Sequence, residues 1–230
     1  MGPDNLFPPP LYDVGAMATH ETLDVAVPTG NTYDKYATSN PIERRLMAGF
    51  LRALDASLPD APPARVLEVG MGEAEIAARV REHYPQADIV GIDLPDPELA
   101  AAWGEHAIPG AFADITRLPF ASDTFDLVLA IEVLEHVPAP EDALRELARV
   151  GRGRFVLSVP SEPVWRVANL ARGKYVGDLG NTPGHIQHWS PRSFRRLVGS
   201  QLDVVEARTP FPWTMVAAQL HGAGTPGAGS

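Results

Sequence analysis

Short apolar runs and amphipathic stripes alternate along the middle of this 230-residue chain. Residues 64–69, 88–93, 125–131 and 153–159, with a shorter run near 110–113, are dense in aliphatic side chains and fit strands buried on both faces. Between them, apolar residues return at helical spacing. Ile76, Ala77, Val80 and Tyr84 mark residues 73–84, a second stripe covers 96–105, and Leu144, Leu147 and Ala148 mark 140–150. Strands alternating with helices predict a parallel sheet joined by right-handed crossovers. Ahead of them, Ile42, Leu46, Phe50, Leu54 and Leu58 recur every four residues. There Asn40-Pro41-Ile42-Glu43 reads as an N-cap, an N1 proline and a capping-box-like Glu. Ser190-Pro191 opens another helix in the same way. The last two runs, 203–209 and 213–219, are joined only by Pro210-Phe211-Pro212, so they must form a hairpin with one strand antiparallel.

This pattern divides the chain. Residues 1–30, with Pro8-Pro9-Pro10 and no periodicity, are expected to be poorly ordered, and Met17 is an alternative start after a leader. Residues 31–58 form an N-terminal lid and helix, and 59–219 a single α/β domain. Residues 220–230 form a flexible Gly-rich tail. Residues 161–190 interrupt the alternation after the fifth strand, at the edge where open α/β sheets bind ligands. Trp165, Tyr175, His185, His188 and Trp189 lie in this insertion, which is expected to build a substrate pocket. Tyr33 and Tyr36 of the lid either touch a ligand or pack the lid onto the core.

The chemistry concentrates at Val66-Leu67-Glu68-Val69-Gly70-Met71-Gly72. A strand, a glycine turn and a helix begin a nucleotide-binding βαβ unit. A dinucleotide fingerprint needs Gly or Ala where Glu75 stands. Glu73 and Glu75, expected in the first helical turn, would repel a pyrophosphate, and Glu68 adds a third acid. The bend therefore favours a ligand that is cationic or neutral at that end. Asp93, at the end of the second strand, occupies the place of an acid that accepts hydrogen bonds from a ribose diol.

Leu67-Glu68-Val69-Gly70-Met71-Gly72 resembles motif I of class I S-adenosylmethionine (SAM)-dependent methyltransferases, nearest the methyltransferase type 11 group. Asp114-Ile115, Leu118-Pro119-Phe120 and Phe125-Asp126-Leu127 resemble the family's D-x-x-x-L-P-F…F-D-x-V pattern. Glu132-Val133-Leu134-Glu135-His136-Val137 resembles the stretch that lines its methyl-transfer cavity. The resemblance implies a Rossmann-like, doubly wound, seven-stranded, mostly parallel sheet of order 3-2-1-4-5-7-6 with one antiparallel strand. It implies SAM contacts at Glu68, Gly70, Met71, Gly72, Asp93, Leu94, Asp114, Ile115 and Glu132, with Asp114 on the adenine amino group. Substrate contacts are expected at Tyr33, Tyr36, Trp165 and Trp189. His136 is the first candidate for a general base, because imidazole titrates near neutral pH, with His185 or His188 second. Either role competes with a purely structural one. Glu132, Glu135, His136 and His185 or His188 also make an oxygen and nitrogen set suited to a divalent metal.

Composition narrows the partners. A net charge of −10 argues against a nucleic-acid backbone or an anionic membrane surface. The absence of cysteine removes thiolate nucleophiles and Cys-type zinc sites. No apolar run approaches membrane-spanning length and the start lacks a basic region followed by an apolar one, so a cytoplasmic enzyme acting on a small molecule is expected. A nicotinamide-dependent reductase of the same sheet class would need a Tyr-x-x-x-Lys pair, which is missing. A SAM-binding protein without transferase activity would carry the same motifs.

Overall fold

The computed structural model describes residues 40–163 and 185–222. Tyr33, Tyr36, Trp165 and Tyr175 lie outside the described residues, as do the expectations for residues 1–30 and for the tail beyond 222. The elements run α1 (Pro41–Asp55), β1 (Arg65–Val69), α2 (Glu75–His83), β2 (Asp88–Asp93), α3 (Pro97–His106), β3 (Gly110–Phe112) and β4 (Phe125–Ile131). After a 3-10 turn (Leu134–His136) come α4 (Pro140–Val150), β5 (Gly151–Pro160), α5 (Pro191–Val198), β6 (Leu202–Arg208) and β7 (Trp213–Leu220). One seven-stranded sheet has the order β3-β2-β1-β4-β5-β7-β6, as the motif resemblance implies. β7 runs antiparallel to both β5 and β6, while β1 to β5 pair in parallel.

The period of two along each strand sorts the core into two layers. Leu67, Val69, Val128, Ala130, Phe155 and Leu157 face α4 and α5, where Leu144, Leu147, Phe194 and Val198 meet them. Val66, Ile89, Leu127, Leu129 and Val156 face the other way, onto Phe50 and Leu54 of α1, Val80 of α2 and Trp103 of α3. Glu68 has the parity of Val66 and so points to the α2 side. That placement decides its role below.

Local chemistry sets the element ends. Asn40 Oδ1 accepts from the Ile42 amide at 2.9 Å, capping α1 as its sequence predicts. Ile42, however, is 70 % exposed; the four-residue stripe buries only its later members, Phe50, Leu54 and Leu58. Arg79 of α2 ties α1 down with two hydrogen bonds to Asp55, at 2.7 and 2.6 Å. Asp126 accepts from the Ala64 and Arg65 amides and from Arg152, which fixes where β1 begins against β4. No described helix is long and apolar enough to cross a membrane.

Candidate active site

Three residues in the left-handed region carry the chain from β1 into α2: Gly70 (φ 71), Gly72 (φ 53) and Ala74 (φ 69). Because Ala74 still belongs to the turn, α2 starts at Glu75, two residues later than the sequence stripe suggests, and Glu73 is an exposed turn residue. The Gly70 and Met71 amides both donate to the Ile92 carbonyl, at 2.8 and 3.1 Å, which lays the loop over the end of β2. A Cβ on Gly70 would stand 2.2 Å from Val133 Cγ2, so only glycine lets the loop and the 3-10 turn after β4 approach this closely. Gly72 is clamped from both sides. Its amide donates to Asp93 Oδ2 at 2.7 Å, and its carbonyl accepts from the Trp103 indole at 2.7 Å.

Asp93 takes a second amide, that of Leu94, on its other oxygen at 2.7 Å. Burial pushes its carboxyl above the usual range, against the pull of these two donors. Leu94 beside it is exposed.

Glu68 behaves differently from what its place in the motif suggests. Its side chain is 2 % exposed and accepts a hydrogen bond from the Ala77 amide, in the first turn of α2. The N-cap residue Ala74 offers that turn no side-chain acceptor, so Glu68 satisfies one of its orphan donors from below. Burial drives its carboxyl well above the ordinary value, and the neighbouring Asp93 adds to the rise. Among the described residues its Oε2 has no hydrogen-bond partner. Met71 also turns inward: its thioether lies where a Cβ of Gly91 would be, so only its backbone remains at the loop surface. Glu75 stands 3.7 Å from His106.

The next loops complete the rim. Asp114 is exposed, and its Oδ1 accepts from both the amide and the hydroxyl of Thr116 at 2.8 Å, a local turn. Ile115 is buried in the layer that faces α4. β4 is followed directly by Glu132, whose φ of 61 is unusual for a residue with a Cβ. The Trp213 indole at the start of β7 donates to Glu132 Oε2 at 2.8 Å, holding that carboxylate between the two strands.

The 3-10 turn then brings Glu135 and His136 against a segment from the far side of the insertion. The Ile186 and Gln187 amides both donate to the Glu135 carbonyl at 3.0 Å. His185 is thereby seated edge-on to His136, with ring centroids 5.0 Å apart. His188 is exposed and stands outside this group, whereas Trp189 is half-buried and its carbonyl accepts from the Glu162 amide at 2.9 Å.

Residues 67–157 match the family model of a methyltransferase domain. Over that stretch the chain is similar to the class I SAM-dependent methyltransferases. Over 120 residues it is 34 % identical to the demethylmenaquinone methyltransferase of Thermus thermophilus, covering 49 % of this chain and 54 % of that protein. Over 124 residues it is 32 % identical to the malonyl-[acyl-carrier protein] O-methyltransferase of Geobacter sulfurreducens, covering 51 % and 44 %. The chain thus spans about half the length of the curated relatives it matches. Its fold is that of the putative methyltransferase solved with the Haloferax volcanii Trm112 activator, at TM-score 0.61 and 18 % identity, over 78 % of this chain and 92 % of that one.

SAM is the cofactor of that class, and the Gly70–Gly72 loop suits it. Gly70 and Gly72 present bare backbone and Asp93 presents a carboxylate beside them. Sequence reasoning missed three supports of this candidate site: Val133 against Gly70, Trp103 on Gly72 and Trp213 on Glu132. Each acts through a contact distant in sequence. A tryptophan in an otherwise ordinary helical stripe was the only local sign of the second.

Proposed function

We propose that this protein transfers the methyl group of SAM to an oxygen or nitrogen atom of a small molecule, with a quinone-like or secondary-metabolite ring as the acceptor class. The observation that carries the reading is the clamped Gly70–Gly72 loop, placed between the Asp93 carboxylate and the 3-10 turn of Glu135 and His136. It lies at the carboxyl edge of the sheet where β1 has β2 on one side and β4 on the other, the crossover point at which such sheets bind nucleosides.

Asp93 would accept from the ribose hydroxyls, and the loop backbone would lie along the methionine portion. Ile115 and Leu94 would flank the adenine, with Asp114 at its amino group. Glu132 would stand at the methyl end of the cavity. SAM supplies an electrophilic methyl carbon when bound. That carbon would be transferred to the acceptor's lone pair, with S-adenosylhomocysteine as the other product. The protein's task is alignment and exclusion of water, and orientation alone can contribute roughly 7–11 kcal/mol. Where the acceptor carries a hydroxyl, its proton passes to a base. His136, half-buried beside the loop, is the first choice, followed by His185 and His188. Tyr33, Tyr36, Trp165 and Trp189 are proposed to contact the acceptor.

The protein's net charge of −10 favours a neutral or cationic acceptor over nucleic acid. The demethylmenaquinone methyltransferase among its relatives supports a ring acceptor. Calorimetric titration with S-adenosylhomocysteine should show saturable binding where NADH shows none; the reverse result rejects the reading. A panel of hydroxylated and aminated rings, incubated with SAM and weighed by mass spectrometry for the gain of one methylene, then identifies the acceptor.

A further inference from the structure

We infer that Glu135, His136 and His185 form a binding site for one divalent first-row transition-metal ion, with open coordination positions directed to a hydroxyl oxygen of the acceptor. The three side chains each offer one ligand atom, and these atoms lie within 4.8 Å of one another. Small side-chain rotations bring such a triangle to metal bond lengths of about 2.0–2.2 Å. The cluster is shielded from water: Glu135 is 2 % and His185 9 % exposed, which keeps competing solvent from two of the three ligand positions.

The scaffold is rigid where a metal site needs rigidity. The 3-10 turn carries two of the ligands on consecutive residues. The segment bearing the third is pinned to that turn by the paired amides of Ile186 and Gln187 on the Glu135 carbonyl. The Gln187 side chain adds contacts to the Val137 and Pro138 carbonyls, at 3.5 and 3.4 Å. Further along, the Glu162 amide holds the Trp189 carbonyl. Two imidazoles and one carboxylate select zinc, manganese, iron, cobalt or nickel over magnesium or calcium, which prefer all-oxygen sets. Three protein ligands leave positions for water or substrate. The larger set suggested by residue types alone is reduced by the fold, since Glu132 is engaged by Trp213 and His188 is exposed and outside the cluster.

The site's purpose rests on the methyl-transfer reading. An ion there would lower the pKa of a bound acceptor hydroxyl, whose proton passes to water while the oxygen attacks the methyl carbon. His136 would then act as a ligand instead of the general base.

The test uses the full chain after chelator treatment, with saturating S-adenosylhomocysteine, titrated with Mn2+ by electron paramagnetic resonance and with Co2+ by visible absorption. One ion should bind per chain, and Co2+ should develop d–d bands. Glu135→Gln, His136→Asn and His185→Ala should each weaken binding at least tenfold, while His83→Ala, a histidine on α2, changes nothing. Retained S-adenosylhomocysteine affinity in each variant shows that the fold survives, and it is measured separately from the metal. The inference is overturned if the parent protein binds no ion, or if all three variants bind as the parent does. Loss of S-adenosylhomocysteine binding in the parent would instead strike the cofactor assignment.

Discussion

Around Gly70–Gly72 the protein fixes its loop through main chain. Four amide or carbonyl groups in three consecutive residues are fixed by Ile92, Asp93 and Trp103. Around Glu135, His136 and His185 it uses side chains, brought together from two segments on either side of α4 and β5. On the proposed reading the first arrangement would face SAM and the second the acceptor, and relatives of the chain bear the names of different acceptors. The two halves meet tightly where Val133 packs on Gly70.

That contact gives the sharpest way to break the comparison. Gly70→Val forces a side chain into Val133 at a left-handed position; overpacking costs about 1–3 kcal/mol and the backbone strain about 1–3 kcal/mol more. Loss of S-adenosylhomocysteine binding and a lower urea midpoint are expected, with partial recovery when Val133→Ala is added. An absence of recovery would place the damage elsewhere than at the junction.

Asp93→Ala should act on the cofactor side alone. It leaves the Gly72 and Leu94 amides without their charged acceptor, a loss of about 1.5–3 kcal/mol. Calorimetry should show S-adenosylhomocysteine affinity falling roughly tenfold to a hundredfold, with the KM for acceptor nearly unchanged. Trp213→Phe probes the other half. It removes the indole donor to Glu132 Oε2 and should lower kcat while cofactor affinity holds; equal damage to both would show that the halves are not separable.

The smallest effect concerns Glu68. Its folded-state pKa lies well above the ordinary 4.5, chiefly through burial, so the unfolded chain loses this proton first as pH rises. Stability contributed by the neutral carboxyl is therefore lost progressively from the unfolded pKa up to the folded one. Glu68→Gln removes that dependence while still offering the Ala77 amide an acceptor. Its stability relative to the parent protein should rise between pH 4 and pH 8 in parallel urea titrations. A constant difference would mean that Glu68 titrates alike in both states.

Much of this was legible in the chain. Residues 88–93, 125–131 and 140–150 are the elements their apolar runs indicate, because buried strands and a strongly one-sided helix leave little choice of pattern. The hairpin link forced the antiparallel strand. Where the reading differs, the reason is tertiary. The helix stripe begins at Glu73, but the φ of Ala74 is set by the loop, so α2 waits until Glu75. Glu68 looked like a charge facing the ligand. Strand parity and an uncapped helix end turn it under the loop, and the acidity of the bend rests on Glu73 and Glu75. The pairing of His136 with His185 is set by main-chain bonds from Ile186 and Gln187 to Glu135, which no spacing rule announces.

The reversed direction of β7 has a practical corollary. Its opening residue, Trp213, lies level with Pro160 at the edge that carries the candidate site, so its closing residues stand at the opposite edge, where Gln219 meets Arg154 and Leu220 meets Leu202. A spectroscopic label on exposed His221 would consequently report unfolding of the whole sheet while staying a full strand's length from any bound acceptor.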